Sequence, residues 1–412
     1  MRDRLYIYDD ARKRQLQEYE TKTWFRSTPL EAAVVENGYI LPPQIGRYEN
    51  WQTGLCKPTM GVGGVVNDKG EFIDFSACRV EHLIQESALT RDRFGGKYEF
   101  DHDNVLYRDE KVIYCGIFWR QWGHFLIDQI TRLWYVMKRD EAENCNLIWL
   151  KLSEDEKPIN GNYLEFIKLL GIDESRFEFV TVPTKFRTII VPEPSNYSGR
   201  YYTADYNQMF ECVIRQAVKN YDGDTFKKIY LSRVHFAEKT GMEVGEKSIE
   251  TIFAENGYKI VYPEQLSLTD QIALINKSEI IASLEGTIAH NSLFAAAGKE
   301  QIVINRNRVL NPFQVQINDM KKISTAFIDA WEEPVPVKSL KNAPGAFWVD
   351  PCFIAVNKLF KLFCNENNMH ITIKAYNPVI RLRNRIKIRL LYLKLFYINP
   401  CKKKIKNYFQ SF

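Results

Sequence analysis

A chain of 412 residues, 45% hydrophobic and 13% aromatic, can bury large cores and has room for two or three units of about 150 residues each. No stretch approaches the roughly 18–20 apolar residues that cross a bilayer, and the opening MRDRLYIYDDARKRQLQEYE has no apolar signal core. The formal charge of +5 is uneven: residues 377–412 hold ten Lys or Arg and no acid, leaving 46 basic against 51 acidic side chains elsewhere.

Eight cysteines lie scattered without CxxC pairs, as reduced thiols of a cytosolic protein would, and no zinc spacing is present among them. Residues 1 to about 60, broken by Pro42-Pro43, Gly46 and Gly54, are expected to be an irregular lead-in. From Gly64, GVVNDKGEFIDF sets two β runs about Asn67-Asp68-Lys69-Gly70, a hairpin, and VLYRDEKVIYCGIF at 105–118 reads as a second. WGHFLIDQITRLWYVMKRD, Trp122 to Asp140, carries Phe125, Ile130, Leu133, Trp134 and Met137 at helical spacing. On that helix His124, Asp128 and Arg132, spaced i, i+4, i+8, share a face. LIWLKL, YLEFIKLLGI, FEFVTV and FRTIIVPE then alternate strand, helix, strand, strand. PEPSNYSGRYYTAD, 192–205, rich in Pro, Ser, Gly and Tyr, reads as a linker ahead of a helix near 206–220.

The second half is more regular. KKIYLSR is a strand, KSIETIFAENG a helix ended by Gly257, and YKIVYP a strand. SLTDQIALINKS is a helix with Ser267 as N-cap and Asp270 at capping-box spacing. Glu279 to Asn305 reads as strand, tight loop, helix from Thr287 to Ala297, and strand. Such alternation predicts a doubly wound parallel sheet, whose ligands bind at the carboxyl ends of strands beside helix N-termini that attract phosphate. Pro334, Pro336 and Pro344 mark loops, and a helix near 351–366 is expected to return to the first half. Wound as a helix from 378 to 398, the tail puts Arg381, Arg385 and Arg389 on one stripe and Leu382, Ile386, Leu390 and Leu393 on another. The expected division is an acceptor-side α/β domain at 1–195, a linker and helix at 196–225, a Rossmann-like domain at 226–345, the returning helix at 346–376 and the basic tail at 377–412.

A dinucleotide enzyme is a poor fit, because the nearest approach to GxGxxG, Gly61-Val62-Gly63-Gly64, precedes a hairpin instead of a helix. A phosphate-bearing ligand without that fingerprint points to a nucleotide-sugar. The stretch SRVHFAEKTGMEVGEKSIETIFAENGYKIVYPEQLSLTDQIALINKSEIIASLEGTIAHNSLF resembles glycosyltransferase family 61, a type common in capsular polysaccharide loci. Ser232-Arg233, Glu246, Gly257-Tyr258, Pro263-Glu264, Leu266-Ser267, Gln271, Gly286, Asn291 and Phe294 stand in its pattern. GHFLIDQITRLW is similar to the family's His-Phe-x-x-[Glu/Asp] helix, so the likeness runs over 120–305. It departs at Gly245, where Asn is usual, and at Glu285, which replaces the His of the eukaryotic form and suits the bacterial branch. The resemblance implies a GT-B fold, two Rossmann-like domains facing a cleft. It also implies inverting, metal-independent transfer of a sugar from a nucleotide-sugar to a surface polysaccharide or lipid-linked oligosaccharide, with no cofactor.

The residues give these roles a physical basis. Arg233 at a strand end either grips a diphosphate bidentately or forms an ordinary ion pair. Glu285 at the next strand end accepts ribose or sugar hydroxyls, or is a buried structural acid. Gly286, Thr287, His290 and Asn291 form the donor-side turn, with helix capping as the competing reading for Thr287 and Asn291. Inversion needs a base for the acceptor hydroxyl, and His124 or Asp128 can supply it, directly or with Asp128 orienting His124. Asp101-His102-Asp103 spells the metal-binding DxD of GT-A enzymes but precedes a hairpin in a charged run, so it is read as a loop and no metal is expected. The basic tail suits an anionic membrane better than nucleic acid, which places the protein in the cytoplasm, peripheral at the inner face of the plasma membrane. A non-catalytic nucleotide-binding or scaffold subunit of an assembly complex is the alternative.

Overall fold

The structure, a computed structural model, describes residues 4–44, 61–84, 87–151, 159–219, 221–236, 243–306, 311–332 and 352–394. The loop prolines Pro334, Pro336 and Pro344 and the tail beyond 394 lie outside them.

The apolar runs of the second half pair as a six-stranded parallel sheet in the order Leu5–Tyr6, Ser324–Asp329, Glu300–Asn305, Ile280–Leu284, Lys228–Leu231, Lys259–Val261. Its strands are apolar on both sides because helices cover both faces: Ile281, Ala282, Leu284, Val303 and Ile304 are all buried. From Lys228–Leu231 the chain first builds outward to Lys259–Val261, then crosses back to Ile280–Leu284 on the other side. The order therefore reverses between the strands that end near Arg233 and Glu285. Such a switch point leaves a crevice at the carboxyl edge of an open sheet.

The first half forms a mixed sheet in the order Val62–Val66, Tyr39–Gln44, Thr184–Pro192, Leu106–Phe118, Asn146–Lys151, Phe177–Val180, with Ala32–Glu36 also on Thr184–Pro192. The last four strands of this order are parallel, and the others add antiparallel edges. The hairpin expected at 105–118 is instead one strand of 13 residues. Its charged run contains no Gly, Asn or Pro to make a tight turn, and its charges are met where they stand: Arg187 pairs with Asp109, Arg108 with Glu110, and Lys111 with Glu141.

Other expectations are corrected by packing. The described part of the lead-in, residues 4–44, is ordered: Leu5–Tyr6 is an edge strand of the second sheet, and Asp10–Thr21 a helix capped by Asp9. Arg12 of that helix forms a buried ion pair with Asp329 at 2.9 Å, so these first elements belong with the second half. The expected helix at 351–366 starts as a strand, Cys352–Ile354, and becomes helical only over Lys358–Glu366. That helix does not return to the first half. It packs on the second sheet, with Tyr6 against Phe363 and Phe253 against Phe360. The 192–205 segment is no loose linker, since Ser195, Asn196, Ser198 and Thr203 are all buried.

Candidate active site

The long central strand ends at Phe118, and Gln121 caps the turn that follows, its side chain accepting from His124 N at 2.5 Å. The expected helix from Trp122 to Asp140 is not continuous. A short α turn at Trp122–His124 widens into π-helix over Phe125–Gln129, tightens to 3-10 at Ile130–Arg132 and returns to α at Trp134–Lys138. A widened turn frees backbone carbonyls, and the 195–206 segment takes them. Asn196 Nδ2 donates to Ile127 O at 2.7 Å, Tyr206 OH to Leu126 O at 2.8 Å, and Ser195 Oγ to Thr131 O at 2.7 Å.

The widened turn carries the titratable pair. His124 Nδ1 lies 2.6 Å from Asp128 Oδ2, and Ser198 Oγ donates to Asp128 Oδ1 at 2.7 Å. The Asp128 side chain is only 2% exposed, whereas that of His124 is 24% exposed. A carboxylate at Nδ1 fixes the N–H on that nitrogen and leaves the proton-accepting lone pair on Nε2. Arg132 is elsewhere: fully buried, it donates to the carbonyls of Phe75 and Ala77 and pairs with neither partner. A cavity of about 660 Å³ runs to Asp128 and Thr131, walled by Trp24, Phe25, Arg79, Tyr197, Arg200 and Tyr201.

Across from this helix lies the turn after Ile280–Leu284. Gly286 has φ 106°, a backbone conformation that side chains with a Cβ rarely adopt, and Arg306 Nη2 would lie 3.1 Å from an added Cβ. The helix beyond is shorter than the apolar pattern suggested, α only over Thr287–His290 and 3-10 over Asn291–Phe294. Thr287 caps nothing. Its Oγ1 accepts from Gln121 Nε2 at 2.9 Å, and Asn291 Oδ1 accepts from the Trp122 indole at 2.9 Å. These two bonds join the halves beside His124. Gly123 is needed at that contact, because a Cβ there would meet Thr287 Oγ1 at 2.7 Å. His290 is buried: Nδ1 faces Gln314 Oε1 at 3.0 Å, and burial pushes its pKa down to about 4. It sits close enough to feel the charges of His124 and Asp128.

The strand ends on the other side of Gly286 form a charge cluster. Glu243, its side chain fully buried, accepts from Arg233 Nη1 at 3.1 Å and from Arg306 Nη1 at 2.6 Å. Arg233 N donates to Glu246 Oε1 at 2.8 Å. Glu285 is 2% exposed, and burial raises its pKa to about 7 despite the nearby Arg306. Glu285 Oε1, Glu243 Oε2 and Arg306 Nε have no hydrogen-bond partner among the described residues. Two guanidinium groups thus meet at the switch point, held by one shared carboxylate.

The structure therefore brings His124, Asp128, Thr287, His290 and Asn291 together, and links Arg233 to Gly286 and Glu285 through Arg306. Arg306, Gln121, Trp122, Ser198 and Glu243 were not singled out from sequence. Arg306 follows the strand Glu300–Asn305, so the strand-end rule that picked Arg233 and Glu285 reaches it as well. Asp101 merely accepts from Asp103 N at 3.0 Å in an exposed 3-10 turn, and among the described residues no three His, Cys, Asp or Glu side chains gather to hold a metal.

Residues 122–303 match the family Glycosyltransferase 61, a span that includes His124, Asp128, Arg233, Glu285 and Asn291. The match supports a glycosyltransferase, with a donor and an acceptor substrate. Comparison with curated proteins gives no match.

Proposed function

We propose that the protein is an inverting glycosyltransferase of the two-domain GT-B kind, carrying a sugar from a nucleotide-sugar to a surface polysaccharide or lipid-linked oligosaccharide. One observation carries the reading. Inside the family-matched segment, the helix carrying the His124–Asp128 pair meets the Gly286 turn through two direct hydrogen bonds, and a cavity lined partly by aromatic rings reaches Asp128. The exposed ring of Phe25 and the half-buried ring of Tyr201 offer flat apolar faces, the surface a pyranose stacks on.

In this mechanism the acceptor hydroxyl attacks the anomeric carbon from the cavity side while the bond to the nucleoside diphosphate breaks on the opposite face. The hydroxyl proton passes to His124 Nε2, and Asp128, held by Ser198, stabilises the imidazolium that forms. The negative charge growing on the leaving diphosphate is met by Arg233 and Arg306, so the reaction proceeds without a divalent ion. Glu285, whose pKa burial raises to about 7, bonds a ribose or sugar hydroxyl.

Thermal-shift screening with UDP-, GDP-, CMP- and dTDP-sugars identifies the donor, since a ligand of the folded form raises its apparent stability. Product formation with that donor is then expected to survive EDTA and to vanish in a folded His124→Ala variant. Turnover unchanged in that variant would sink the assignment of the base. Donor binding without turnover in the intact chain would favour the scaffold reading.

A further inference from the structure

The helix Pro378–Leu393 is fastened to the second half by one side. Ile388 is buried in a small core with Val244, Phe353 and Ala355, and both Arg381 and Arg385 reach Glu332. The basic stripe expected on this helix is thus partly spent on holding it in place. The leucine stripe points the other way. Val379, Leu382, Ile386, Leu390 and Leu393 are 74%, 59%, 51%, 60% and 49% exposed. With about 100° between successive residues, all five fall within about 40° of one line along the helix. Arg383, Lys387 and Lys394 border that line on one side and Arg389 on the other, and all four are exposed.

Under the Arg381 and Arg385 flank lies a cavity of about 990 Å³, where Arg12, Lys358, Lys361, Arg381 and Arg385 face Asp9 and Glu332. The positive field of the helix therefore continues onto the body of the protein. We propose that this face docks on an anionic lipid bilayer, with the apolar stripe at the acyl boundary and lipid phosphates at the bordering cations and the cavity. Among the described residues no helix is long and apolar enough to cross a membrane, so the helix lies in the interface instead of spanning it. A second copy of the chain is a poor occupant, because stripe-to-stripe contact would oppose cation to cation along both borders. Nucleic acid would meet the charge but leave the stripe uncovered.

Co-sedimentation of the full chain with vesicles tests this independently of sugar transfer. Binding is expected to phosphatidylcholine vesicles containing phosphatidylglycerol, weakly or not at all to phosphatidylcholine alone, and to fall as salt rises. Ile386→Ser/Leu390→Ser, at exposed positions that leave thermal unfolding unchanged, is expected to weaken binding more than about tenfold. Arg383→Glu/Lys387→Glu is expected to weaken it about a hundredfold, and Lys358→Glu/Lys361→Glu about tenfold. Equal binding to neutral vesicles, or binding untouched by the serine variant, would overturn the proposal. So would a dimer in sedimentation velocity that the serine variant dissolves. A loss confined to the other variants, with Lys358→Glu/Lys361→Glu unaffected, would remove the cavity from the docking surface.

Discussion

The two edges that meet at this site are built on opposite plans. On the first half, one carboxylate and one imidazole are oriented by neutral groups: a serine hydroxyl, backbone carbonyls, and a hairpin whose Gly199 N–H donates to Gln316 from the other half at 2.8 Å. On the second half, Arg233, Arg306, Glu243 and Glu285 are packed together with polar atoms left unpaired among the described residues. A proton acceptor needs one defined geometry and little competing charge. A strand edge that receives a diphosphate needs cations kept in place before the ligand arrives, and a buried carboxylate shared between two guanidiniums does this. Under the proposed function, the contrast teaches that the catalytic edge should fail through lost geometry, and the donor edge through lost charge balance.

The largest expected effect tests the first edge. Asp128→Asn keeps the size of the side chain but removes the charge that sets the His124 tautomer and stabilises its protonated form. Turnover is expected to drop by about 10²–10⁴ with donor affinity and thermal unfolding near wild type. Ser198→Ala, which only loosens Asp128, should cost far less. If Ser198→Ala matched Asp128→Asn, orientation alone would account for the role of the carboxylate.

At the donor edge, Arg306→Met strips Glu243 of its shorter ion pair and leaves Glu285 without its nearest cation. Breaking a buried pair from one side costs about 3–5 kcal/mol, readable in urea unfolding. Arg306→Lys restores charge without the planar fork. It should recover most of the stability and less of the donor affinity, and equal recovery of both would argue against a bidentate grip.

The two edges also carry buried groups with opposite pH dependences. Burial lifts Glu285 from 4.5 to about 7, so its contribution is present below pH 4.5 and is lost as pH rises through 7. Burial lowers His290 from 6.5 to about 4, so its contribution is present above pH 6.5 and is lost as pH falls through 4. Over the shared window the two slopes oppose each other. Glu285→Gln should therefore gain about 3 kcal/mol relative to wild type between pH 4.5 and 8, and His290→Gln a similar amount on acidification from pH 7 to 4. Chemical unfolding across pH measures both, and a flat difference for either variant would place that group in contact with water.

Much of the edge of the second sheet was legible in the sequence because it follows chain-local rules. Apolar runs between turn signals located the strands, and each strand end named its own polar residue, Arg233 and Glu285 among them. Ser267 and Asp270 formed the expected cap, with Ser267 Oγ accepting from Asp270 N at 3.1 Å. The edge that carries His124 and Asp128 was legible only in part. His124 and Asp128 share a face at either α or π spacing, so their pairing survived the break in the helix. The break itself was hidden, because it depends on Ser195, Asn196 and Tyr206 supplying donors from 64 to 80 residues away. A segment rich in Ser, Gly and Tyr looks the same in sequence whether it spans solvent or fills a groove. Glu243 was obscured for a similar reason, since its partners lie on two different strand ends.

The smallest effect concerns the seam where the two plans meet. Gly123 approaches Thr287 so closely that Gly123→Ala sets its Cβ 2.7 Å from Oγ1 and 3.3 Å from the threonine Cβ. Overpacking of this size costs about 1–3 kcal/mol when the neighbours cannot move. Thr287→Ala alone should cost about 1 kcal/mol by stranding the Gln121 amide. In the double variant the offending oxygen is gone, so its stability should exceed that of Gly123→Ala and approach that of Thr287→Ala. Additive losses in the double-mutant cycle would mean that the halves part readily and that the seam does not hold His124 against the donor turn. Strong coupling, with turnover restored together with stability, would tie the catalytic edge to the donor edge through this one contact.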